Sequence, residues 1–201
     1  YAAFVPTQGI VIILLCAVTL LALLGGFKRY KNDDEHTGDY FGLILFSLCG
    51  AILMAQPGDL MLFFIGLEIL SIPIYVLVGI DKGSSTSAEA AVKYFFTGSF
   101  ASAILLFGIA LLYGATGSFQ LIEIQSNLAI GIWQSPMAMI GSLFILAGFI
   151  FKIGAVPFHF WGPDVYAGAS NAVLMYMSTV VKIAGIYGLI NVFGQVFRDS
   201  Y

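Results

Sequence analysis

Six runs of apolar residues divide this chain, at roughly 7–27, 41–57, 60–80, 88–113, 136–160 and 170–197. A bilayer-spanning helix needs about 20 mostly apolar residues, and each run is close to that length. None shows the period-two alternation of a strand, and an open sheet edge cannot be satisfied in lipid. The expected fold class is therefore all-α, a polytopic transmembrane helix bundle of about six spans. Composition agrees: 60% of the 201 residues are hydrophobic and only 9% are charged, against roughly 25% charged in a soluble domain. The second run is short and ends at the turn-forming Gln56-Pro57-Gly58-Asp59. The fifth carries Pro157 near its end and is expected to break there.

A net charge of −3 argues against a nucleic-acid partner. The chain starts at Tyr1 with no n-region or cleavage site, so no signal peptide is expected, and the sequence reads as an interior piece of a longer chain. Cys16 and Cys49 lie inside apolar runs, where cysteine acts as a small hydrophobe. No CxxC pair, phosphate loop, GxSxG elbow, HExxH or dinucleotide fingerprint occurs, so no metal or nucleotide site is expected.

Two connections are polar, residues 28–40 and residues 81–89, and they contain Lys28, Arg29, Lys31 and Lys82. Six alternating spans put both on one side, and the Lys- and Arg-free segment 114–136 on the other. The positive-inside rule then assigns the two basic loops to the cytoplasm or its equivalent. Arg198, followed by Asp199, is the only contrary charge. Asp33-Asp34-Glu35 and His36 read as a solvated loop, and Ser87 as a helix N-cap.

Most of the eight basic and eleven acidic residues fall in loops or at helix ends. Four fall inside spans: Glu68, Lys93, Lys152 and Lys182. A charge at mid-membrane costs about 2.5–3.5 kcal/mol on insertion scales. Such residues normally face a bundle interior or water and mark ion or proton pathways. Lys93 sits about two turns from its helix start and can snorkel. Lys152 and Lys182 are expected about eight or more residues from either end of their spans. A plain Glu–Lys staple between helices is the structural alternative, but one acid does not balance three lysines. Burial favours the neutral form of an amine, so an amine near a carboxylate in a dry bundle is suited to proton exchange.

Prolines sit next to two of these charges, five residues after each: Glu68 with Pro73, and Lys152 with Pro157. In a helix a proline frees the carbonyl four residues earlier, here Ile69 and Ile153. Broken helices at membrane depth are tolerated where they line a cavity, and Gly154 adds freedom beside Lys152. His159 follows Lys152 by seven residues, about 10 Å along an unbroken helix, and reads either as an interfacial residue or as a relay. Ser178 and Thr179 flank Lys182 at helical spacing, and Thr97 follows Lys93 by four. Gly98, Ser99, Ala101, Ser102 and Ala103 suit close helix packing, and Phe100 and Phe107 suit lipid contact.

Four stretches share a pattern: LFFIGLEILSIPIYVLVG (62–79), SAEAAVKYFFTGSFASAILLFGIALLYGATGS (87–118), FKIGAVPFHFWGPDVYAGAS (151–170) and STVVKIAGIYGLI (178–190). Together they resemble the antiporter-like membrane subunits of respiratory complex I, NADH:quinone oxidoreductase. The GLE-x-LS-x-P-x-Y and VPFH-x-W-x-PDVY phrases resemble the subunit N branch more than the L and M branches. The resemblance covers about residues 40–195 and implies the following. Glu68 is the fifth-helix glutamate, Lys93 the sixth-helix lysine of the EAxxKY phrase, Lys152 the lysine of the broken seventh helix and Lys182 that of the eighth, all in proton transfer, with His159 a further candidate. The whole of 1–201 is a membrane-embedded fragment, with about 41–197 the first five-helix half of an inverted repeat in a fold of about fourteen helices. Where the family commonly has a proline- and threonine-containing turn after PDVY, this chain has AGASNAVLMY.

The implied activity is proton translocation as a translocase subunit, with Glu68 as counter-ion to a switching Lys152 and no redox centre in this chain. At an effective dielectric of about 20, charges about 4 Å apart interact by about 4 kcal/mol, enough to switch such an amine. FMN, iron–sulfur clusters and quinone are expected in partner subunits, and the implied partners are other membrane subunits, the lipid bilayer and protons. The expected location is the bacterial inner membrane, ahead of a mitochondrial or plastid one. The rival readings are an Mrp-type multisubunit cation/proton antiporter, a related hydrogenase or photosynthetic complex, and a purely structural membrane subunit.

Overall fold

A computed structural model describes residues 4–30, 37–56, 58–131 and 135–196. Eight helices follow in order: α1 (Phe4–Tyr30), α2 (Thr37–Ala55), α3 (Leu60–Val78), α4 (Ser85–Thr116), α5 (Leu121–Ala129), α6 (Pro136–Ile153), α7 (Gly162–Gly168) and α8 (Asn171–Val196). Six of them, all but α5 and α7, are long and apolar enough to cross a membrane. The expected bundle of six spans is the observed architecture. The acidic cluster at 33–35, His36, Pro57, Arg198 and Asp199 lie outside the described residues.

The helices start and stop for local reasons. Asp59 caps α3 by accepting from the Leu62 N–H at 2.6 Å. Ser84, not Ser87, caps α4: its hydroxyl accepts from the Ser87 N–H at 3.2 Å. The Ser87 hydroxyl donates instead to the Val78 carbonyl at 2.6 Å and closes the α3–α4 turn, satisfying one of the carbonyls that every helix end leaves open. Pro136 occupies the first turn of α6, where its missing N–H is harmless.

The element contacts define two ends. At one, the Leu60 N–H donates to Phe119 O at 3.0 Å and the Asn191 side chain donates to Ala55 O at 3.4 Å, which gathers the α2–α3 turn, the α4–α5 turn and the end of α8. At the other, the end of α3 meets the start of α4, and α7 packs beside α4. The segment 114–136, expected as a plain loop, holds the short helix α5, which buries Leu121, Ile124 and Leu128.

Two pairs of helices approach backbone to backbone. A Cβ on Gly50 of α2 would sit 2.6 Å from Gly66 O of α3, and one on Gly108 of α4 would sit 2.7 Å from Gly141 O of α6. Small residues at such crossings let apolar helices gain dispersion contact where lipid offers no hydrophobic driving force. The outward faces carry Ile13, Phe96, Phe100 and Phe107, all exposed, as a lipid-facing surface requires. Cys16 and Cys49 also lie on the exposed side.

The fifth span is shorter than expected. It stops at Ile153 rather than near 160, and residues 154–161 run as turns into α7. The stop is at Gly154, with φ +73°, and not within a helix at Pro157. Lys152 is therefore in the last turn of α6 rather than about eight residues from an end.

Candidate functional site

Buried Lys152 and half-buried Glu68 and Lys182 converge where α3, α4 and α8 meet the end of α6. On α3, Glu68 accepts a hydrogen bond from the Ser102 hydroxyl of α4 at 2.5 Å. One turn further along α3 stands Ser71, fully buried, whose hydroxyl donates to the Leu67 carbonyl. The Lys152 ammonium, on a side chain only 5% exposed, donates to that same hydroxyl, and the Tyr75 ring lies 5.8 Å from it. Glu68 and Lys182 are both within electrostatic range of Lys152. Among the described residues Glu68 and Lys152 form no direct ion pair, whereas Lys93 does pair, with Glu89 and Asp164. Each charge has its own serine partner, Ser102 donating to Glu68 and Ser71 accepting from Lys152. Lys152 and Ser102 line a common cavity of about 10 Å³ together with Leu67, Tyr75, Ala101 and Phe151, about the smallest space that holds one water.

The broken helix supplies the second half of the site. Gly154 turns the chain out of α6, its N–H bonding back to Phe151 O at 2.9 Å. The Ile153 carbonyl, left without a helical partner, accepts from the Lys182 ammonium of α8. Glycine is favoured here by its φ; a Cβ at position 154 would lie 2.9 Å from that ammonium, at the far end of a flexible side chain that would have to shift. Trp161 braces the break. Its indole N–H donates to Phe151 O at 3.1 Å, its ring stacks on Tyr94 at 4.9 Å, and the Lys182 ammonium lies 5.0 Å from its centroid. A helix C-terminus carries partial negative charge. The Lys182 ammonium therefore meets an electrostatic sink built by the backbone itself.

The structure does not bring the other two candidates into this cluster. Lys93 is exposed and pairs with Glu89 at 2.8 Å and with Asp164 of α7 at 2.6 Å. His159 is exposed on the turn after the break, so the shared helical face that its spacing suggested does not exist. The Ser178 and Thr179 hydroxyls bond to the Met175 carbonyl and not to Lys182. Thr97 bonds to the Lys93 carbonyl, not to its ammonium. Ser71, Tyr75 and Trp161 are site residues that sequence reasoning passed over; Ser71, three residues after Glu68 on one helix face, was the readable signal. Among the described residues no group of three or more His, Cys, Asp or Glu could hold a metal.

A bundle with charges buried around a broken helix is the architecture of antiporter-like membrane subunits. The family model described as "NADH:quinone oxidoreductase/Mrp antiporter, TM" matches residues 57–200, and the chain belongs to that family. The NADH-quinone oxidoreductase subunit N of Cytophaga hutchinsonii is 40% identical over 186 residues, covering 92% of this chain and 40% of the relative. Respiratory complex I from Thermus thermophilus contains a chain of similar structure, with 37% identity, a TM-score of 0.70, and coverage of 86% of this chain and 38% of that one. The membrane-bound sulfane sulfur reductase, an archaeal respiratory membrane complex, contains another, with 31% identity, a TM-score of 0.80, and coverage of 94% and 38%. The present chain thus spans about two fifths of the length of these relatives.

Proposed function

We propose that this chain is part of a proton-translocating membrane subunit of NADH:quinone oxidoreductase, corresponding to subunit N, in a bacterial inner membrane. The observation that carries the reading is the Lys152 ammonium, buried on the Ser71 hydroxyl at the end of a broken helix, with Lys182 on the adjoining carbonyl. In this reading Lys152 is the switching carrier. Glu68 favours its protonated form while the carboxylate is held by Ser102, beside the small cavity that Lys152 also lines. When Glu68 is drawn off, burial favours the neutral amine, and the proton passes towards Lys182. The Ile153 carbonyl and the negative end of α6 hold the positive charge at that point.

Lys93 ties α4 to α7 through Asp164 and acts on the site at one remove. His159, exposed on the turn, is placed to exchange protons with water. Residues 41–197 would form the first five-helix half of an inverted repeat, the remaining helices of a roughly fourteen-helix protein completing the path. Electron transfer through FMN, iron–sulfur clusters and quinone would occur in partner subunits and drive this one by conformation or electrostatics.

The test is to purify the full-length protein in mild detergent, identify what accompanies it and assay NADH:quinone reductase activity. Co-purifying flavin and iron–sulfur subunits with that activity are expected. Companion antiporter subunits alone, with sodium- or potassium-dependent proton exchange and no NADH oxidation, would move the chain to the Mrp branch.

A further inference from the structure

A second pair of buried hydroxyls meets α3 from α2 and α8 and takes no part in the lysine cluster. Ser47 of α2 and Tyr176 of α8 are both fully buried. The Tyr176 hydroxyl donates to Ser47 Oγ at 3.2 Å, and the Ser47 hydroxyl donates to the Leu70 carbonyl of α3 at 2.8 Å. Ser71 and Ser142 each donate to the carbonyl four residues back on their own helix; Ser47 instead donates across to another helix. The carbonyl it chooses belongs to the peptide group that joins Leu70 to Ser71. That group is planar, so holding the Leu70 carbonyl fixes the direction in which the chain enters Ser71, whose hydroxyl receives the Lys152 ammonium.

This turn of α3 needs an outside hold. Pro73 lies inside the helix and offers no N–H to the Ile69 carbonyl, so the ladder is weakened beside Leu70 and Ser71. α2 grips the turn at two points about one turn apart. Ser47 does so through its hydroxyl, and Gly50 through close approach, since a Cβ there would meet the Leu70 N and the Ile69 carbonyl carbon. Tyr176 adds a third helix. It precedes Lys182 by about 9 Å along α8, so its hydroxyl ties the helix that carries one lysine to the peptide that presents the acceptor of the other. The chain of bonds ends on a carbonyl, which has no proton to pass on, so the pair positions groups and does not carry protons. On the reading of Lys152 as the proton carrier, on which this rests, we propose that Ser47 and Tyr176 are positioning residues of the proton-transfer site. They hold the Leu70–Ser71 peptide so that the Ser71 hydroxyl faces Lys152.

The test measures the initial rate of NADH-driven proton pumping in inverted membrane vesicles that contain the assembled complex with the full-length protein. Ser47→Ala combined with Tyr176→Phe removes both hydroxyls together and leaves neither side chain with a buried unpaired group, so the fold is kept. This pair is expected to slow pumping about fivefold, the scale of one buried hydrogen bond. The same pair in a Ser71→Ala background should cause no further loss, because the group it positions is gone. An equal loss in both backgrounds would mark the hydroxyls as structural only and overturn the proposal. Tyr176→Phe alone, which leaves Ser47 donating to Leu70, should slow pumping about twofold, and only where Ser71 is present; this arm decides if the pair does not assemble. Lys152→Ala is run beside them. Wild-type pumping by the pair while Lys152→Ala is inactive would overturn the positioning role and leave the proton carrier standing. Wild-type pumping by Lys152→Ala would overturn the carrier and the positioning role with it.

Discussion

At the scale of single residues, the site depends on two serines as much as on its charges. Ser71 is the acceptor for the buried Lys152 ammonium, and Ser102 holds Glu68. A hydrogen bond to a charged group contributes about 1.5–3 kcal/mol. Ser71→Ala is therefore expected to slow proton pumping about tenfold in inverted membrane vesicles energised with NADH. Ser71→Thr, which keeps the hydroxyl, should retain most of the rate; equal rates in Ser71→Ala and wild type would remove Ser71 from the path. The charged residues were legible in the sequence because a charge in an apolar run is conspicuous. The serines were less legible, since a serine in a membrane helix equally satisfies its own backbone, as Ser142 does on the Ala138 carbonyl, and only the three-residue spacing of Ser71 from Glu68 offered a signal. Nor could spacing reveal that Lys93 turns outward to Glu89 and Asp164, because Asp164 lies 71 residues away.

At the scale of elements, the end of α6 explains why a lysine stands in an apolar run. Lys152 closes the helix, Gly154 turns the chain, and Lys182 caps the Ile153 carbonyl from α8. The proline at 157 signalled a break, and the sequence placed it three residues too late because Gly154 acts first. His159 lost its shared face with Lys152 for the same reason. The short helices α5 and α7 went unread since nine and seven residues are too few for a periodicity to stand out beside spans of eighteen or more. Because position 154 has a left-handed φ, Gly154→Ala should cost about 1–2 kcal/mol and displace Lys182 from its carbonyl. The expected outcome is a lower melting temperature of the detergent-purified full-length protein together with reduced pumping. An unchanged melting temperature would mean that the turn relaxes without involving Lys182.

At the scale of the whole molecule, six apolar helices surround one polar seam. Most outward-facing residues are aromatic or aliphatic, and the close glycine crossings at Gly50–Gly66 and Gly108–Gly141 hold the inner helices at short range. The number of spans and the all-α class were legible because hydropathy alone dictates both in a bilayer. The order of the seam was not, because it depends on which helices touch. Glu68 reaches α4, Lys152 reaches α3 and Lys182 reaches the end of α6, so four helices share one electrostatic unit. In the proposed mechanism the unit has one member that cannot be replaced, the amine of Lys152. The most direct measurement is the number of protons moved per NADH oxidised by the assembled, reconstituted complex, comparing Lys152→Ala with wild type. The account predicts that the variant loses most or all of its proton translocation. Unchanged proton stoichiometry would contradict it.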